Sequence, residues 1–131
     1  MSGSEVWAVG GASDSNGGFA WRLSGDTFTP EPSLPADITS SAAIWKLYGT
    51  ATNDAWLVGS NGVALHWDGT ELSPGATGVG SSLFTVHERD GNYTAVGGLA
   101  TGIIVEYDGA AWQPVTPEPP PMGLSGVTLG A

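Results

Sequence analysis

The feature that most constrains this chain is a sequence pattern that occurs three times. The hexapeptide EVWAVG at 5–10 returns as DAWLVG at 54–59 and as NYTAVG at 92–97. Each copy is followed by a glycine-rich turn and by a second apolar run. Two markers keep the same offsets of 44 and 40 residues between copies: the glycines at 25, 69 and 109 and the prolines at 30, 74 and 114. The pattern predicts three copies of one structural unit.

The local chemistry of each copy is that of β-strands. The apolar runs are short, rich in Val, Ile, Trp, Thr and Tyr, and bounded by Gly, Asn, Asp and Ser, which is typical of strands. The Asp-Gly pairs at 68–69 and 108–109 favour two-residue hairpin turns. No segment shows a capped helical stripe, so we expect an all-β chain with essentially no helix.

A further strand is predicted before the second and third copies, at 44–48 and 83–87. The first copy has no such run before it, whereas a similar run, LSGVTL, stands at 124–129. Four short strands in a unit of about 44 residues are typical of one blade of a β-propeller.

The second copy carries a recognisable family pattern. DAWLVG at 54–59, followed by ALHWDG at 64–69, resembles the "D-x-W-x-V-G … H-W-D-G" propeller repeat of bacterial secreted and envelope proteins. That repeat is loosely similar to sialidase-type and photosystem-assembly-factor propellers. The resemblance implies a propeller fold and favours a secreted or cell-envelope location in a bacterium. The chain lacks the Asp-box of sialidases (Ser-x-Asp-x-Gly-x-Thr-Trp), and one fold hosts many functions.

Three blades leave two open apolar edges, because propellers typically close with four to eight blades. We therefore predict a head-to-tail homodimer with six blades. In this arrangement 5–30 supply strands 2–4 of blade 1, 43–74 form blade 2, 82–115 form blade 3, and 123–131 form strand 1 of the partner's blade 1. The alternative is that the sequence is a piece of a longer propeller.

Composition argues against several classes of partner. Thirteen acidic residues stand against three basic ones, for a net charge of −10. Recognition of nucleic acid or of an anionic membrane needs clustered Lys and Arg, so neither partner is expected. No apolar run approaches the roughly 18 residues of a membrane span. The absence of cysteine excludes disulfides and thiolate metal sites.

Catalytic and metal chemistry find little support in the sequence. His66 and His87 are the only histidines, and they occupy different positions of the repeat, so neither a metal site nor a cofactor is expected. No Gly-x-Ser-x-Gly elbow occurs. The recurring aspartates are explained as turn residues, and two arginines are too few for a sialidase-like site. We expect no enzyme, and a glycosidase is the weakest alternative.

The tryptophans suggest a binding role. Trp7 and Trp56 recur at one position of the repeat, which indicates core packing between blades. Trp45 and Trp67, with His66 or Arg22 nearby, are the candidates for a platform on which sugar rings stack. The alternative is that both tryptophans fill blade interfaces. The expected function is a non-catalytic, lectin-like module with repeated weak glycan sites, or else a purely structural propeller fragment that assembles with itself.

Overall fold

The computed structural model of the chain describes residues 5–11 and 17–127. This part of the chain contains one six-residue helix, one short 3-10 turn at Ser60–Gly62, and eleven strands. The bounds are β1 Trp7–Gly11, β2 Gly18–Ser24, β3 Thr27–Pro30, α1 Ala36–Ser41, β4 Ile44–Ala51, β5 Asp54–Gly59, β6 Ala64–Trp67, β7 Leu72–Gly75, β8 Leu83–Arg89, β9 Asn92–Gly97, β10 Ile103–Tyr107 and β11 Trp112–Val115.

The strands form three antiparallel sheets, and this confirms the prediction of an all-β chain. Sheet 1 contains β1, β2 and β3, sheet 2 contains β4 to β7, and sheet 3 contains β8 to β11. Within each sheet, every strand pairs with the next one along the chain. The alternation of short strands and tight turns produces this order, because each hairpin pairs neighbours before distant segments can compete.

The hydrophobic core lies between the sheets and consists of two clusters. The first joins Ala20 of sheet 1 to Leu57, Leu65 and Trp67 of sheet 2. The second joins the opposite face of sheet 2 to Val105, Trp112 and other residues of sheet 3. Sheet 2 is therefore covered on both faces, which explains why β5 reads as a nearly continuous apolar run.

The prediction of essentially no helix is wrong at one place. Helix α1 spans Ala36–Ser41 in the connection from sheet 1 to sheet 2. Its sequence, ADITSS, has no amphipathic stripe, but Pro35 precedes it and Ile38 is only 4% exposed against the first core cluster. A single turn and a half of helix is marginal alone, so tertiary packing of Ile38 stabilises it.

The turn predictions need correction in their detail. The Asp68 and Asp108 segments form four-residue connections, not two-residue hairpins: β6 ends at Trp67 and β7 begins at Leu72. Only the glycine of this Asp-Gly pair has positive φ (Gly69, +99°), while Asp68 accepts hydrogen bonds from the backbone N–H of Thr70 and Glu71. The two-residue turn with positive φ at both positions is Asp90–Gly91, between β8 and β9.

The segment after β11 runs without a strand from 116 to 127, apart from one bridge between Thr101 and Met122. Leu124 donates its backbone N–H to the Gly97 carbonyl at 3.1 Å. Residues 128–131 of the predicted exchanged strand 123–131 lie outside the described residues. The exchange itself involves a second chain and stays a prediction.

Gly59, at the end of β5, allows β4 to approach closely. The N–H of the next residue, Ser60, donates to the Ala43 carbonyl at 2.9 Å. A Cβ on Gly59 would lie 2.0 Å from that carbonyl oxygen. Gly97 has the matching relation to the Ser82 carbonyl in sheet 3, at 1.9 Å. The Val-Gly ending shared by the three hexapeptides thus has a steric cause in these two sheets.

Replacing Gly59 by alanine is expected to destabilise the protein by about 2–3 kcal/mol, because the backbone of β4 must move to relieve the clash. Gly80→Ala is the matched control, since Gly80 has no heavy atom within 4 Å of an added Cβ, and its effect should stay within about 0.5 kcal/mol. Urea unfolding followed by circular dichroism measures both. Equal stability of the two variants would contradict the close approach.

Candidate functional site

A cluster of charged and aromatic side chains lies between sheets 1 and 2, and we call it the Arg22 cluster. Its members are Trp7, Arg22, Trp67, Glu5 and Glu31. The guanidinium carbon of Arg22 is 4.7 Å from the ring centroid of Trp67 and 5.4 Å from that of Trp7. The two indoles meet edge to face, with centroids 5.0 Å apart at 74°. The geometry is that of a cation held against two π faces.

Two carboxylates neutralise Arg22. Glu5 lies 3.0 Å from one guanidinium nitrogen, and Glu31 lies 3.6 Å from another. The Glu31 side chain is only 5% exposed, and its second oxygen accepts from the backbone N–H and the hydroxyl of Ser33. Such a buried carboxylate needs these partners, because an unpaired charge in this position is costly.

Strand register produces the cluster. Trp7 of β1 pairs directly with Arg22 of β2, so both side chains point to the same face of sheet 1. Trp67 enters from the end of β6, opposite Ala55 and Leu72. Its indole N–H donates to the Thr52 carbonyl at 3.1 Å, which fixes the ring that Arg22 covers.

A related cluster lies between sheets 2 and 3 and contains Trp56, His66, Tyr107 and Trp112. Trp56 pairs with His66 in the strand register, as Trp7 does with Arg22. His66 lies 2.7 Å from Asp54, in the way that Arg22 is paired with Glu5. The Trp56 ring contacts those of Tyr107 at 4.9 Å and Trp112 at 5.1 Å. Trp56, His66 and Tyr107 thus hold the positions of Trp7, Arg22 and Trp67, while Trp112 stands where sheet 2 has Leu72.

The second cluster is less completely satisfied than the first. The indole N–H groups of Trp56 and Trp112 are buried and have no acceptor among the described residues. Unpaired buried donors of this kind cost about 1–3 kcal/mol each. In the Arg22 cluster Trp67 has its carbonyl acceptor, and one oxygen of Glu5 is the buried side-chain atom without a partner among the described residues. Polar groups left in this state are a reason to examine the cluster as a site.

Three groups near these clusters have altered acidity. Hydrogen bonds from the backbone N–H of Glu71 and Thr70 hold the pKa of Asp68 at about 2. Similar bonds from Ala111 and Ala110 lower the pKa of Asp108. Burial raises the pKa of Tyr93 to about 12. The two turn aspartates are therefore charged at neutral pH, and the Tyr93 hydroxyl keeps its proton.

The structure brings two of the four predicted site residues together. Arg22 and Trp67 are in contact, but Trp67 is 0% exposed, so no face of its ring is open to a sugar. His66 is on the other face of sheet 2 from Trp67, packed against Trp56 at 5.0 Å. The alternative interpretation, that Trp67 fills an interface between sheets, describes its position.

Trp45 lies apart from the other three. It sits beside the end of β5 that contains Gly59, whereas Trp67 pairs with Ala55 near the start of β5. Trp45 and Trp67 are therefore separated by several residues along β5, at about 3.3 Å each, and by the two strand spacings from β4 to β6. Trp45 is 42% exposed, and its ring centroid is 6.1 Å from that of Phe84. A single platform of Trp45 and Trp67 therefore does not form within the chain.

Sequence reasoning missed the inter-sheet aromatic clusters as sites, because the contacts of Trp56 with Tyr107 and Trp112 join two different sheets. In residues 5–11 and 17–127, no group of three or more His, Asp or Glu side chains is placed to hold a metal ion. Across the same residues, no helix is long and apolar enough to cross a membrane.

The chain is thus defined as an all-β protein of three antiparallel sheets stacked face to face, with charged and aromatic clusters at the two sheet interfaces. Comparison with family models, with curated proteins and with solved structures found no match.

Proposed function

We propose that this chain is a non-catalytic, self-assembling half of a β-propeller, and that two copies close into a ring of six sheets. The observation that carries the proposal is an unpartnered aromatic face on sheet 1. Phe19, Trp21 and Phe28 are 36%, 42% and 40% exposed, and strand register places them on the face that points away from sheet 2. Exposed aromatic patches of this kind are typical of interaction sites.

The two internal interfaces support a second copy as the occupant of this face. In both, one sheet presents the tryptophan of its hexapeptide strand (β1 or β5) to the third strand of the next sheet: Trp7 to Trp67, and Trp56 to Tyr107. The same rule can be applied to sheet 3 of one copy and sheet 1 of the other. Thr94 has the position of the two tryptophans in its hexapeptide, and it would pack against Leu23. That residue lies on the aromatic outer face of sheet 1, opposite Phe28. In the proposed ring, the outer face of sheet 1 therefore packs against the outer face of sheet 3 of the other copy.

The free edge of β1 is the second observation in favour of the proposal. Within the described residues, β1 pairs only with β2, whereas the second strands of sheets 2 and 3 have a partner on both sides. In those sheets Ile44 pairs with Gly59 and Leu83 with Gly97. The matching register would set the partner's Leu124 opposite Gly10, with the partner's Gly126 and Val127 opposite Val9 and Ala8.

The path of the connections favours this register. A Cβ on Gly18 would meet the Ala42 carbonyl at 2.4 Å, one on Gly62 the Val79 carbonyl at 1.9 Å, and one on Gly102 the Met122 carbonyl at 2.6 Å. Each connection therefore passes close to the beginning of the strand that follows the hexapeptide strand of its own sheet, namely β2, β6 and β10. After the first two crossings the chain enters β4 and β8. By the same path, residues 124–127 are directed toward a following sheet.

Mass measurement tests the proposal. Multi-angle light scattering of the purified 131-residue chain is expected to give twice the 13.3 kDa of one chain, because two copies give a blade number in the propeller range and three do not. Deletion of 123–131 should return the mass to that of one chain. A monomeric full chain, or a truncated chain that still dimerises, would contradict the ring.

Weak saccharide binding is a second candidate function, and the exposure of Trp45 favours it. Sugars stack on open aromatic faces, and Trp45 with Phe84 presents one at the beginning of β4 and β8. Saccharide titration of the intact protein, with Trp45→Ala as the variant, is expected to show millimolar binding that the variant loses. Absence of binding at that concentration, or full binding by Trp45→Ala, would remove this candidate.

A further inference from the structure

A cavity of about 300 Å³ opens beside the aromatic cluster between sheets 2 and 3. Trp56, Tyr107 and Trp112 form its wall, and Pro74, Ala110 and Ala111 lie at its rim. Trp56 and Trp112 are 3% and 5% exposed, whereas the three rim residues are exposed. The cavity therefore has an open mouth, and of its three rings the half-buried Tyr107 is the one that a ligand can contact most directly. Both sheets belong to one chain, so the site is complete in each copy and does not depend on association.

The rings present their π faces in different directions. Trp56 meets Trp112 at 85° and Tyr107 at 60°, and Tyr107 meets Trp112 at 40°, with centroids 4.9 to 5.4 Å apart. An aromatic ring is electron-rich on its faces, and several rings at an angle to one another attract an organic cation more strongly than one does. The wall is therefore suited to a flat or rounded cationic group.

Negative charge near the mouth adds to this preference. Asp108 accepts hydrogen bonds from the backbone N–H of Ala110 and Ala111 at 2.9 and 3.0 Å, which places its carboxylate beside the rim. Those bonds lower its pKa, so it is charged at neutral pH. The whole chain carries a net charge of −10, and a field of that sign raises the local concentration of cations.

The chain itself shows which cation fits between such rings. In the Arg22 cluster a guanidinium lies 4.7 Å from the centroid of Trp67, the residue that matches Tyr107. His66 has the place of Arg22 in the second cluster, but its ring contacts Trp56 and pairs with Asp54. Among the described residues, no lysine or arginine lies over Trp56, Tyr107 or Trp112.

We propose that this cavity binds a guanidinium group, stacked against the half-buried ring of Tyr107 as the Arg22 guanidinium is stacked against Trp67. The group can belong to a free arginine-like molecule or to an arginine side chain of a polypeptide. Both present the same planar cation, which pairs with aromatic faces through the ring quadrupole and through stacking.

The test uses ethylguanidinium and its neutral isostere ethylurea, titrated into the intact protein at constant ionic strength. Tryptophan fluorescence and the indole N–H signals of Trp56 and Trp112 in nitrogen-15 NMR spectra report binding. Ethylguanidinium is expected to bind saturably, and ethylurea at least about fivefold more weakly, since it lacks the charge. Equal binding of the two compounds, or no saturable binding of ethylguanidinium, would overturn the proposal.

Two variants localise the site. Trp112→Leu and Tyr107→Leu introduce the residue that stands at the matching positions 72 and 23 of the other sheets, so the replacement is one that this architecture already accommodates. Each is expected to weaken ethylguanidinium binding at least about fivefold, while Trp45→Leu removes an aromatic side chain elsewhere and leaves it unchanged. Unchanged binding in both cavity variants would place the site elsewhere and refute the assignment.

A second arm distinguishes the source of the cation. Free L-arginine and the blocked tripeptide acetyl-Ala-Arg-Ala-amide carry the same guanidinium on different backbones. Tighter binding of the tripeptide would identify the ligand as an arginine side chain of a polypeptide, and tighter binding of the amino acid would identify a free metabolite. Failure of both to compete with ethylguanidinium would argue against a guanidinium site.

Discussion

Substitution of glutamate for Trp21 is expected to convert the associated protein into single chains. Trp21 lies at the centre of the outer face of sheet 1, its ring centroid 5.1 Å from that of Phe19, and it is 42% exposed in the single chain. In the proposed ring this face is covered by sheet 3 of the partner. An unpaired carboxylate buried there loses several kcal/mol of hydration, which is a large part of the free energy of a modest interface.

Trp45→Glu is the matched control, because Trp45 is also 42% exposed but lies outside the outer face of sheet 1. Sedimentation velocity at micromolar concentration should show Trp21→Glu as a monomer and Trp45→Glu with the mass of the unaltered protein. Circular dichroism establishes that both variants keep their sheets. If Trp21→Glu still dimerises, the outer face of sheet 1 is not the interface.

Replacement of Trp67 by alanine is expected to lower the free energy of unfolding by about 3–5 kcal/mol. The side chain is 0% exposed in the first core cluster, so its removal leaves a large cavity. It also removes the hydrogen bond to the Thr52 carbonyl and one of the two π faces against which Arg22 stacks. Glu5 and Glu31 then hold the Arg22 guanidinium without the Trp67 ring against which it stacks.

Urea unfolding at one fixed protein concentration measures this loss, since the stability of an associating protein depends on concentration. Trp45→Ala provides the comparison and should cost less than about 1 kcal/mol, as expected for a partly exposed side chain. A loss below that level for Trp67→Ala would mean that the ring is not the centre of the core. A sugar-binding assay that used Trp67→Ala would confuse unfolding with loss of a ligand.

Much of the fold could be predicted from local patterns. Alternating β-branched and aromatic residues between turn residues predict the strands, and the order of hairpins follows from short connections. Helix α1 could not be predicted, because its six residues carry no helical signal and only the burial of Ile38 holds them. The turn at Asp90–Gly91 carries the Asp-Gly signal that was assigned to other positions.

The candidate sites were harder to predict, and the reason is visible in β6. In a strand covered on one face, alternate residues are exposed, and His66 fits that expectation. In this chain Ala64, Leu65 and Trp67 are all buried, because sheet 2 lies between two others. A strand buried on both faces loses the alternation from which exposure is inferred. The alternation that leaves His66 partly exposed places Trp67 on the opposite face of the strand, and there the structure buries it in the core.

The sequence by itself determined the strands, their hairpin order and the recurrence of one pattern along the chain, because hydrogen bonding between neighbouring strands and turn chemistry are local. Only the tertiary structure decided which tryptophans are covered and which cation lies against them. Those properties depend on how whole sheets stack, and residues of different copies meet across an interface. Arg22 thus rests on Trp67, and the matching face of Tyr107 lies beside an open cavity.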